Sequence, residues 1–350
     1  MGHRDRTELA VTGVVTVDHQ VYEIGELPLL SGEILTRARI GYAVQGRLDP
    51  DGRNAVLCPS FFGGDHTGYD WLIGEGRPLD TGRYCVITAG LFGNGVSSSP
   101  SNHASGADFP LITPQDNVAA QHRLLTGHLG VTELALVTGW SMGAAHTYQW
   151  AVSHPGMVRR IAPVCGSAVT SEHNQVFLTG LAAALAADGG AGRGQRAAGR
   201  VFAGWAASHP FWAGQAYREL GFTDREDYLT RFWEQFFVAG PAAADLLSMV
   251  RTWEHADVGA TPGCDGSAEA ALSSVTADAV LLPAALDQCF AVSDEERAAG
   301  LVPHTSLEVI PGVWGHLAGA GASPADREFI GRVLRGLLAR VPTSAGAPAM

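Results

Sequence analysis

Residues 134–143 read LALVTGWSMG, an apolar run that leads directly into a G-x-S-x-G pentapeptide centred on Ser141. The run has the length and the Val and Leu content of a buried strand, and a helical pattern follows at residues 142–154. Glycine at 139 and 143 allows a tight turn from strand to helix without side-chain collision. The stretch therefore predicts a turn that holds the Ser141 hydroxyl clear of a sheet, at a helix N-terminus that favours negative charge. The alternative is a simple turn whose serine caps the helix.

Short apolar runs and helical patterns alternate on both sides of this stretch. Continuous apolarity, rather than alternation, indicates strands that are buried on both faces of a mostly parallel sheet. Two further segments, near residues 21–24 and 38–44, resemble antiparallel edge strands. The sequence therefore predicts an α/β doubly wound sheet with helices on both faces. The apolar runs are residues 54–60, 83–89, 134–139, 160–166, 279–287 and 306–312. The helical patterns are residues 114–129, 142–154, 294–301 and 324–341.

One region interrupts the alternation. From about residue 169 to residue 274 the chain is Ala-rich, helical in pattern and dense in aromatic residues, and it lies between two predicted strands. It is either a small helical subdomain with its own core or a lid whose aromatic face closes over a pocket. Its aromatic residues include Phe177, Phe202, Trp205, Phe211, Trp212, Phe232, Trp233, Phe236, Phe237 and Trp253.

Composition excludes several classes of function. The chain has 350 residues, which fits one large domain or two small ones, and 46% of them are hydrophobic. Its net charge of −12 argues against binding to a nucleic-acid backbone. All 23 basic residues are arginine, so no lysine is present to form a Schiff base, anchor pyridoxal phosphate or serve a phosphate loop.

The sequence carries no sign of secretion, membrane insertion or metal binding. The first residues, MGHRDRTELAV, are charged and lack the apolar segment of a signal peptide. No apolar stretch approaches the roughly 18 residues that span a bilayer. We therefore expect a soluble cytoplasmic protein without a bound metal, because no HExxH or paired-cysteine spacing occurs. The cysteines are scattered and fit small buried side chains; they are Cys58, Cys85, Cys165, Cys264 and Cys289.

A serine hydroxyl is a good nucleophile only when a base takes its proton, so the chain should supply a histidine and an acid. In proteins with this turn the order is Ser, then Asp or Glu, then His, with the histidine in a loop after a late strand. Asp287 ends the run AVLLPAALD, and His316 lies in PGVWGHLAG after the last apolar run. We therefore predict a catalytic triad of Ser141, Asp287 and His316. Asp294 is the fallback acid, although it begins a helix and suits a capping role.

Acyl transfer also needs two N–H donors that face the oxyanion of the tetrahedral intermediate. One donor comes from the residue after the nucleophile, Met142, and the other from the loop after the third strand. That loop is residues 60–66, SFFGGDH, where two glycines allow close approach of the backbone. We favour Phe62 as the second donor, with Phe61 as an alternative. A simple glycine turn is the competing interpretation of this loop.

Four longer segments resemble the homoserine O-acetyltransferase-like branch of the α/β-hydrolase fold. They are GEGRPLDTGRYCVITAGLFGNGVSSSPS (residues 74–101), DFPLITPQDNVAAQHRLLTGHLGV (108–131), SMGAAHTYQWAVSHPGMVRRI (141–161) and SEHNQVFLTGLAAALAAD (171–188). The likeness runs from about residue 38 to the final helix. It implies Ser141 as nucleophile, Asp287 as acid and His316 as base, and it makes a homodimer a reasonable expectation.

The resemblance also implies an inserted helical cap in an α/β-hydrolase core. The predicted division has the first part of the core at residues 1–168 and the cap, or lid, at 169–274. The second part of the core follows at 275–342, and a flexible tail occupies 343–350.

Three departures from the family pattern bear on the substrate. Trp140 stands where homoserine acetyltransferases have glycine, and Leu317 stands where they carry the aspartate that holds the substrate ammonium. Arg200 matches their carboxylate-binding arginine, but the tyrosine expected seven residues later is Ala207. An ammonium buried beside Leu317 would be unpaired, so homoserine is not the expected substrate. We predict Trp140, Arg200 and Leu317 as substrate contacts and an uncharged, fairly hydrophobic alcohol portion.

Two acyl-transfer functions and one non-catalytic function remain open at this point. The first is hydrolysis of short-chain acyl esters through an acyl-Ser141 intermediate, with no cofactor. The second is O-acyl transfer to an acceptor other than homoserine, with acetyl-CoA as co-substrate, whose phosphates arginine could bind. The third is a binding protein with a vestigial site. Each has a small molecule as its partner, and neither nucleic acid nor membrane is expected.

Overall fold

In the computed structural model, which describes residues 19–187 and 192–340, eight strands form one sheet. Within these described residues the pairs β1–β2 and β2–β4 are antiparallel, and the other five pairs of neighbouring strands are parallel. This confirms the predicted α/β class. The strands are β1 (Gln20–Pro28), β2 (Ile34–Gln45), β3 (Ala55–Pro59), β4 (Cys85–Ala89), β5 (Leu134–Trp140), β6 (Arg160–Val164), β7 (Asp278–Leu281) and β8 (Thr305–Leu307), in the spatial order β1-β2-β4-β3-β5-β6-β7-β8.

Helices cover both faces of this sheet. The helix predicted at residues 114–129 ends as an α-helix at Arg123 and continues as a π-helical turn over Leu124–His128. The helices are α1 (Pro114–Arg123), α2 (Met142–Ser153), α3 (Glu172–Ala186), α4 (Arg193–Ala206), α5 (His209–Ala213), α6 (Arg225–Tyr228), α7 (Gln235–Val238), α8 (Ala243–Glu254), α9 (Ala268–Ser273), α10 (Val292–Ala299) and α11 (Pro324–Ala339).

The strand run predicted at residues 279–287 is shorter in the structure, because β7 ends at Leu281. Beyond it the backbone leaves the regular ladder: Pro283 O accepts from Ile310 N at 2.8 Å, and Ala285 N donates to Ile310 O at 3.0 Å. The chain thus turns gradually out of the sheet, and this turn places Asp287 at the carboxyl edge.

The central strands are buried on both faces, as parallel strands between helical layers must be. Every residue of β3, β4, β6 and β7 is buried. Neighbouring residues of β3 face opposite layers, with Val56 in the apolar cluster under the cap helices and Leu57 in the cluster on the other face.

Helices α3 to α9 lie between β6 and β7 in chain order. Their large side chains, among them Phe177 and Trp253 (each 1% exposed), belong to the same apolar cluster as Val56 of the sheet. Polar contacts also join these helices to the core: Asp245 accepts from Ser101 N at 2.8 Å and from Ser101 Oγ at 2.6 Å. The helical segment and the sheet therefore share a core, rather than having one each.

None of the helices in residues 19–187 and 192–340 is both long enough and apolar enough to cross a membrane. The tail predicted at residues 343–350 lies outside the described residues, as do the first 18 residues of the predicted core.

Candidate active site

The turn at Ser141 is a strained connection between β5 and α2. Ser141 has φ 59° and ψ −125°, a conformation that non-glycine residues rarely adopt. A Cβ at Gly139 would lie 2.3 Å from the Gly143 carbonyl oxygen, and a Cβ at Gly143 would lie 2.5 Å from that of Pro59. Both glycines of the pentapeptide are thus required by backbone contacts. The Ser141 N–H donates to Val164 O at 2.9 Å, which fixes the turn against β6.

The structure brings together the three residues predicted as a triad. The distance from His316 Nε2 to Ser141 Oγ is 2.9 Å, and that from His316 Nδ1 to Asp287 Oδ2 is 2.8 Å. The second carboxylate oxygen of Asp287 accepts from the N–H groups of Cys289 and Phe290, at 2.7 and 3.0 Å. The carboxylate is therefore held on both oxygens. It orients the imidazole so that Nε2 faces the serine hydroxyl.

Aromatic rings enclose the imidazole of His316, which is 0% exposed. The Trp140 ring centroid lies 5.0 Å from it, and that of Phe290 lies 5.4 Å from it. The Trp140 indole N–H also donates to the backbone oxygen of His316 at 3.1 Å. Trp140 therefore holds the histidine loop, and its role as a substrate contact stays a prediction.

The cap contacts the histidine loop as well. Gly315 has φ 61°, and a Cβ there would lie 2.9 Å from Ser208 N and 3.1 Å from Ala206 O. The Ser208 hydroxyl donates to the Val313 carbonyl oxygen. The junction between α4 and α5 thus rests directly on the loop that carries His316, and position 315 has no room for a side chain.

The two predicted oxyanion donors lie on adjoining segments. Met142 begins α2, and Phe62 lies in the loop after β3. A Cβ at Gly143 would also lie 2.8 Å from Ser60 O, so the first turn of α2 packs closely against this loop. The Phe62 ring stacks on Phe202 of α4, with centroids 5.9 Å apart. The loop therefore carries an aromatic contact to the cap beside the turn at Ser141.

Tyr69 is a polar residue beside the site that sequence reasoning missed. The Tyr69 hydroxyl donates to Pro59 O at 2.7 Å and accepts from Trp140 N at 2.9 Å. Tyr69 lies in a loop without periodicity or a motif, so only the three-dimensional structure reveals this bridge between the ends of β3 and β5.

Arg200 has contacts other than those predicted for it. Its Nε lies 2.7 Å from Glu234 Oε1, and its terminal nitrogens bind the carboxylate of Glu226. These ion pairs join α4 to the segment around α6, and the Arg200 side chain is 42% exposed. Arg200 as a substrate contact therefore stays a prediction, and in the structure its guanidinium is bound by two carboxylates within the cap.

Leu317 directly follows the histidine. It is 6% exposed, within a 3-10 turn over Gly315–Ala318, and belongs to the apolar cluster under the cap. A charged group beside it would have an apolar environment.

Two cysteines lie close to the triad acid. Burial raises the pKa of the Cys165 and Cys289 thiols well above its ordinary value, so both are neutral. The ligand atoms of Asp287, Cys289 and His316 all lie within 4.8 Å of one another. In the described part of the chain this is the one set of three potential metal ligands, and two of its members are hydrogen-bonded to each other as parts of the triad.

A cleft of about 430 Å³ opens at the seam between cap and core. It reaches the backbone side of the triad acid but does not touch Ser141 or His316. The cleft is lined by His173, Val201, Gly204, Trp205, Asp287, Gln288 and Ala291.

Comparison with known proteins agrees with the observed fold. The family described as "alpha/beta hydrolase fold" matches residues 56–319. An ethyl acetate hydrolase of Pseudomonas veronii is 34% identical over 85% of this chain and 89% of its own. The solved structure of an acetylester hydrolase from Corynebacterium glutamicum is 33% identical, with a TM-score of 0.88 over 92% of this chain and 96% of its own.

The resemblance to homoserine O-acetyltransferases is also confirmed. The enzyme of Symbiobacterium thermophilum is 40% identical, over 40% of this chain and 42% of its own. The family match, the relatives that cover most of the chain and the Ser141–His316–Asp287 geometry lead to one assignment. This chain belongs to the family of proteins with the α/β-hydrolase fold.

Proposed function

We propose that the protein hydrolyses short-chain carboxylic esters, above all acetyl esters of uncharged alcohols, through an acyl-Ser141 intermediate. The observation that carries the proposal is the hydrogen-bonded series from Ser141 Oγ through His316 to Asp287. A serine placed in this way is activated by an adjacent base that a third group orients. The names of two relatives, an ethyl acetate hydrolase and an acetylester hydrolase, support the acetyl preference.

In the acylation step, Ser141 Oγ attacks the ester carbonyl carbon while His316 Nε2 accepts the hydroxyl proton. Asp287 stabilises the resulting imidazolium through Nδ1. The backbone N–H groups of Met142 and Phe62 stabilise the oxyanion of the tetrahedral intermediate. Collapse of this intermediate breaks the bond to the alkoxy oxygen, which leaves as the alcohol with the proton from His316.

In the deacylation step, water takes the place of the alcohol. His316 Nε2 accepts one proton of the water as its oxygen attacks the acyl carbon, and it then returns a proton to Ser141 Oγ. The carboxylic acid is released and the free serine is restored. No cofactor takes part in either step.

The surroundings of the triad favour an uncharged ester. The rings of Trp140 and Phe290 lie 5.0 and 5.4 Å from the His316 imidazole, and the buried Leu317 follows the histidine. Burying an ammonium among these side chains without a partner costs free energy. The five cysteines are unpaired, which suits the reducing cytoplasm that we propose as the location.

The alternative is acyl transfer from acetyl-CoA to an acceptor other than homoserine, and the homoserine O-acetyltransferase relatives favour it. Both functions share the acyl-Ser141 intermediate and differ in the molecule that attacks it. The homodimer expected from the same resemblance also remains a proposal.

Product partitioning tests these functions directly. Purified protein is supplied with p-nitrophenyl acetate or with acetyl-CoA, each with and without a panel of alcohols that includes homoserine. We expect hydrolysis of the ester at a rate that the alcohols do not change, with acetyl-CoA left intact. Consumption of acetyl-CoA only in the presence of an alcohol would establish the transferase, and homoserine as acceptor would overturn the inference from Leu317.

A further inference from the structure

Tyr69 lies between the two strands whose carboxyl ends carry the site. Its hydroxyl donates to the carbonyl oxygen of Pro59, the last residue of β3, and accepts from the N–H of Trp140, the last residue of β5. The side chain is 3% exposed, and burial raises the pKa of the phenol, so the hydroxyl retains the proton that it donates.

The register of the sheet shows what this hydroxyl replaces. Strands β3 and β5 are parallel, with Leu57 opposite Val137. Continued by two residues, that register sets Pro59 opposite Gly139. In a regular parallel ladder the Pro59 oxygen would then accept directly from the next N–H on β5, that of Trp140. The Tyr69 hydroxyl lies between these two groups. Two hydrogen bonds in series, from Trp140 N–H to the Tyr69 oxygen and from the Tyr69 hydroxyl to Pro59 O, therefore replace the single bond of a regular ladder.

This bridged position lies where the two segments that carry the predicted oxyanion donors separate. The loop with Phe62 leaves β3 just after Pro59, and the nucleophile turn leaves β5 just after Trp140. The backbone of Gly143 fills the gap between them: a Cβ there would lie 2.5 Å from Pro59 O and 2.8 Å from the Tyr69 oxygen. A change in the spacing of β3 and β5 at this point would therefore move the segment with Phe62 relative to the turn at Ser141.

A second contact supports the same arrangement. The Phe61 ring, next to the predicted donor, packs edge-on against Trp140 with centroids 4.5 Å apart and against Tyr69 at 5.8 Å. A movement of the Tyr69 ring would therefore reach the oxyanion loop through Phe61 as well as through Pro59.

We propose that Tyr69 is a positioning residue for the oxyanion site, whose hydroxyl acts as a spacer between β3 and β5 and so fixes the Phe62 donor relative to Ser141. The inference rests on the proposed acyl transfer at Ser141 and adds to it a residue that never touches the substrate. It concerns stabilisation of the tetrahedral intermediate, and not binding of the ester.

The test is Tyr69→Phe, which retains the ring and removes the spacer. We expect kcat for p-nitrophenyl acetate to fall about 10- to 100-fold, because a small displacement of an oxyanion donor has effects of this order. KM stays within about twofold, since ground-state binding does not use the oxyanion geometry. The Ki of a trifluoromethyl ketone, which forms a tetrahedral adduct with the serine, rises by the same factor as kcat/KM falls. The pH profile of kcat/KM is unchanged, because His316 and Asp287 retain their contacts.

Tyr42→Phe is the matched control. Tyr42 is also a buried residue, and its hydroxyl also has two partners, Gln20 Oε1 at 2.8 Å and His128 Nε2 at 3.1 Å, but it lies at the β1–β2 edge of the sheet. We expect this variant to lower the Tm by a few degrees with unchanged kcat and Ki. A merely structural Tyr69 would behave in the same way.

A second variant covers the case in which Tyr69→Phe does not fold. 3-Fluorotyrosine at position 69 keeps the ring and both partners but weakens the oxygen as an acceptor for the Trp140 N–H. We expect kcat about two- to fivefold below wild type, with KM unchanged. A folded Tyr69→Phe with wild-type kcat and Ki, or a fluorotyrosine variant with wild-type kcat, would overturn the proposal. A wild-type protein that hydrolyses no ester would instead overturn the proposed function.

Discussion

At the carboxyl edge of the sheet, Ser141 and the loops around it are positioned by backbone contacts, whereas Arg200 in the cap is positioned by side chains. A Cβ at Gly139 or at Gly143 would lie 2.3 or 2.5 Å from a backbone carbonyl oxygen, so neither position tolerates a side chain. Arg200 depends on two carboxylates of a neighbouring segment, and its side chain is 42% exposed. Backbone contacts of this kind allow few other conformations, whereas exposed ion pairs can be rearranged at a small cost in free energy. We therefore expect substitutions at the sheet edge to alter chemistry and substitutions in the cap network to alter little.

The largest effect is expected at the triad itself. Ser141→Ala and His316→Ala should each lower kcat for p-nitrophenyl acetate by about 10⁴- to 10⁶-fold, because the three groups act as a unit. Circular dichroism and Tm should show a folded protein in both cases. A folded variant with a near-normal rate would contradict the triad assignment and the claim that the sheet edge around Ser141 controls the chemistry.

Gly143→Ala tests whether backbone contacts control the site. The new Cβ would lie 2.5 Å from Pro59 O, so the oxyanion loop and α2 must separate. We expect kcat to fall about 100-fold or more and the free energy of unfolding to fall by about 1–3 kcal/mol. The matched control is Gly180→Ala in α3, where a Cβ meets nothing within 4 Å. This control should leave kcat unchanged, and equal behaviour of the two variants would contradict the argument.

Leu317→Asp tests the apolar lining beside the histidine. The carboxylate would supply the ammonium partner that the site lacks, so the ratio of kcat/KM for an amino-bearing ester to that for its neutral analogue should rise about tenfold. Leu317→Asn is the control, because it has a similar shape and no charge. An equal ratio in both variants would mean that the residue does not face the alcohol portion.

The buried carboxyl of Glu295 in α10, which is hydrogen-bonded to Tyr148 of α2, allows a test of stability that does not involve catalysis. Tyr148 Oη donates to Glu295 Oε2 at 2.6 Å, and burial raises the pKa of Glu295 from 4.5 to about 8. The folded protein therefore keeps a proton that the unfolded chain loses above about 4.5. The stability from this group is complete below pH 4.5 and is lost as pH rises towards 8, at no more than about 1.4 kcal/mol per pH unit.

Glu295→Gln should remove this pH dependence, since the amide oxygen still accepts from Tyr148. Urea unfolding between pH 5 and 9 is the measurement, and kcat should remain at its wild-type value at each pH. A wild-type slope in the variant would show that Glu295 is not the group that titrates.

The smallest effect is expected in the cap. Arg200→Met retains the apolar stem and removes the ion pairs with Glu226 and Glu234. We expect kcat/KM for p-nitrophenyl acetate within twofold of wild type and a loss of about 1 kcal/mol or less in the free energy of unfolding. A large rise in KM would indicate that Arg200 contacts the substrate, and it would contradict the expected difference between the sheet edge and the cap.

The difference between backbone and side-chain contacts also explains which features could be predicted from the sequence. The parallel sheet and the proximity of Ser141, His316 and Asp287 follow from local patterns: apolar runs, a glycine-framed serine, and an acid and a histidine after successive late strands. These patterns express backbone constraints that act over a few residues. The residues assigned to the triad, Ser141, Asp287 and His316, lie 2.8–2.9 Å from one another in series.

Tertiary contacts account for what the sequence did not provide. The partners of Arg200 lie 26 and 34 residues away in the chain, and no local pattern marks either glutamate. Tyr69 bridges two strands from a loop, 71 residues before Trp140. Trp140 is conspicuous in the sequence, but its bond to the histidine loop spans 176 residues. Side-chain contacts over such separations depend on the assembled fold.

The measurement that tests the central claim most directly is detection of the acyl-enzyme. Wild-type protein is mixed with p-nitrophenyl acetate, quenched in acid within milliseconds, and digested for mass spectrometry. We predict one acetyl group on the peptide that contains Ser141. This acetyl group disappears once the ester is exhausted, when the amount of acetate formed equals the amount of ester consumed. Ser141→Ala should show no acetylated peptide. Steady turnover with no acetyl group on Ser141, or acetate release by Ser141→Ala at the wild-type rate, would contradict the account.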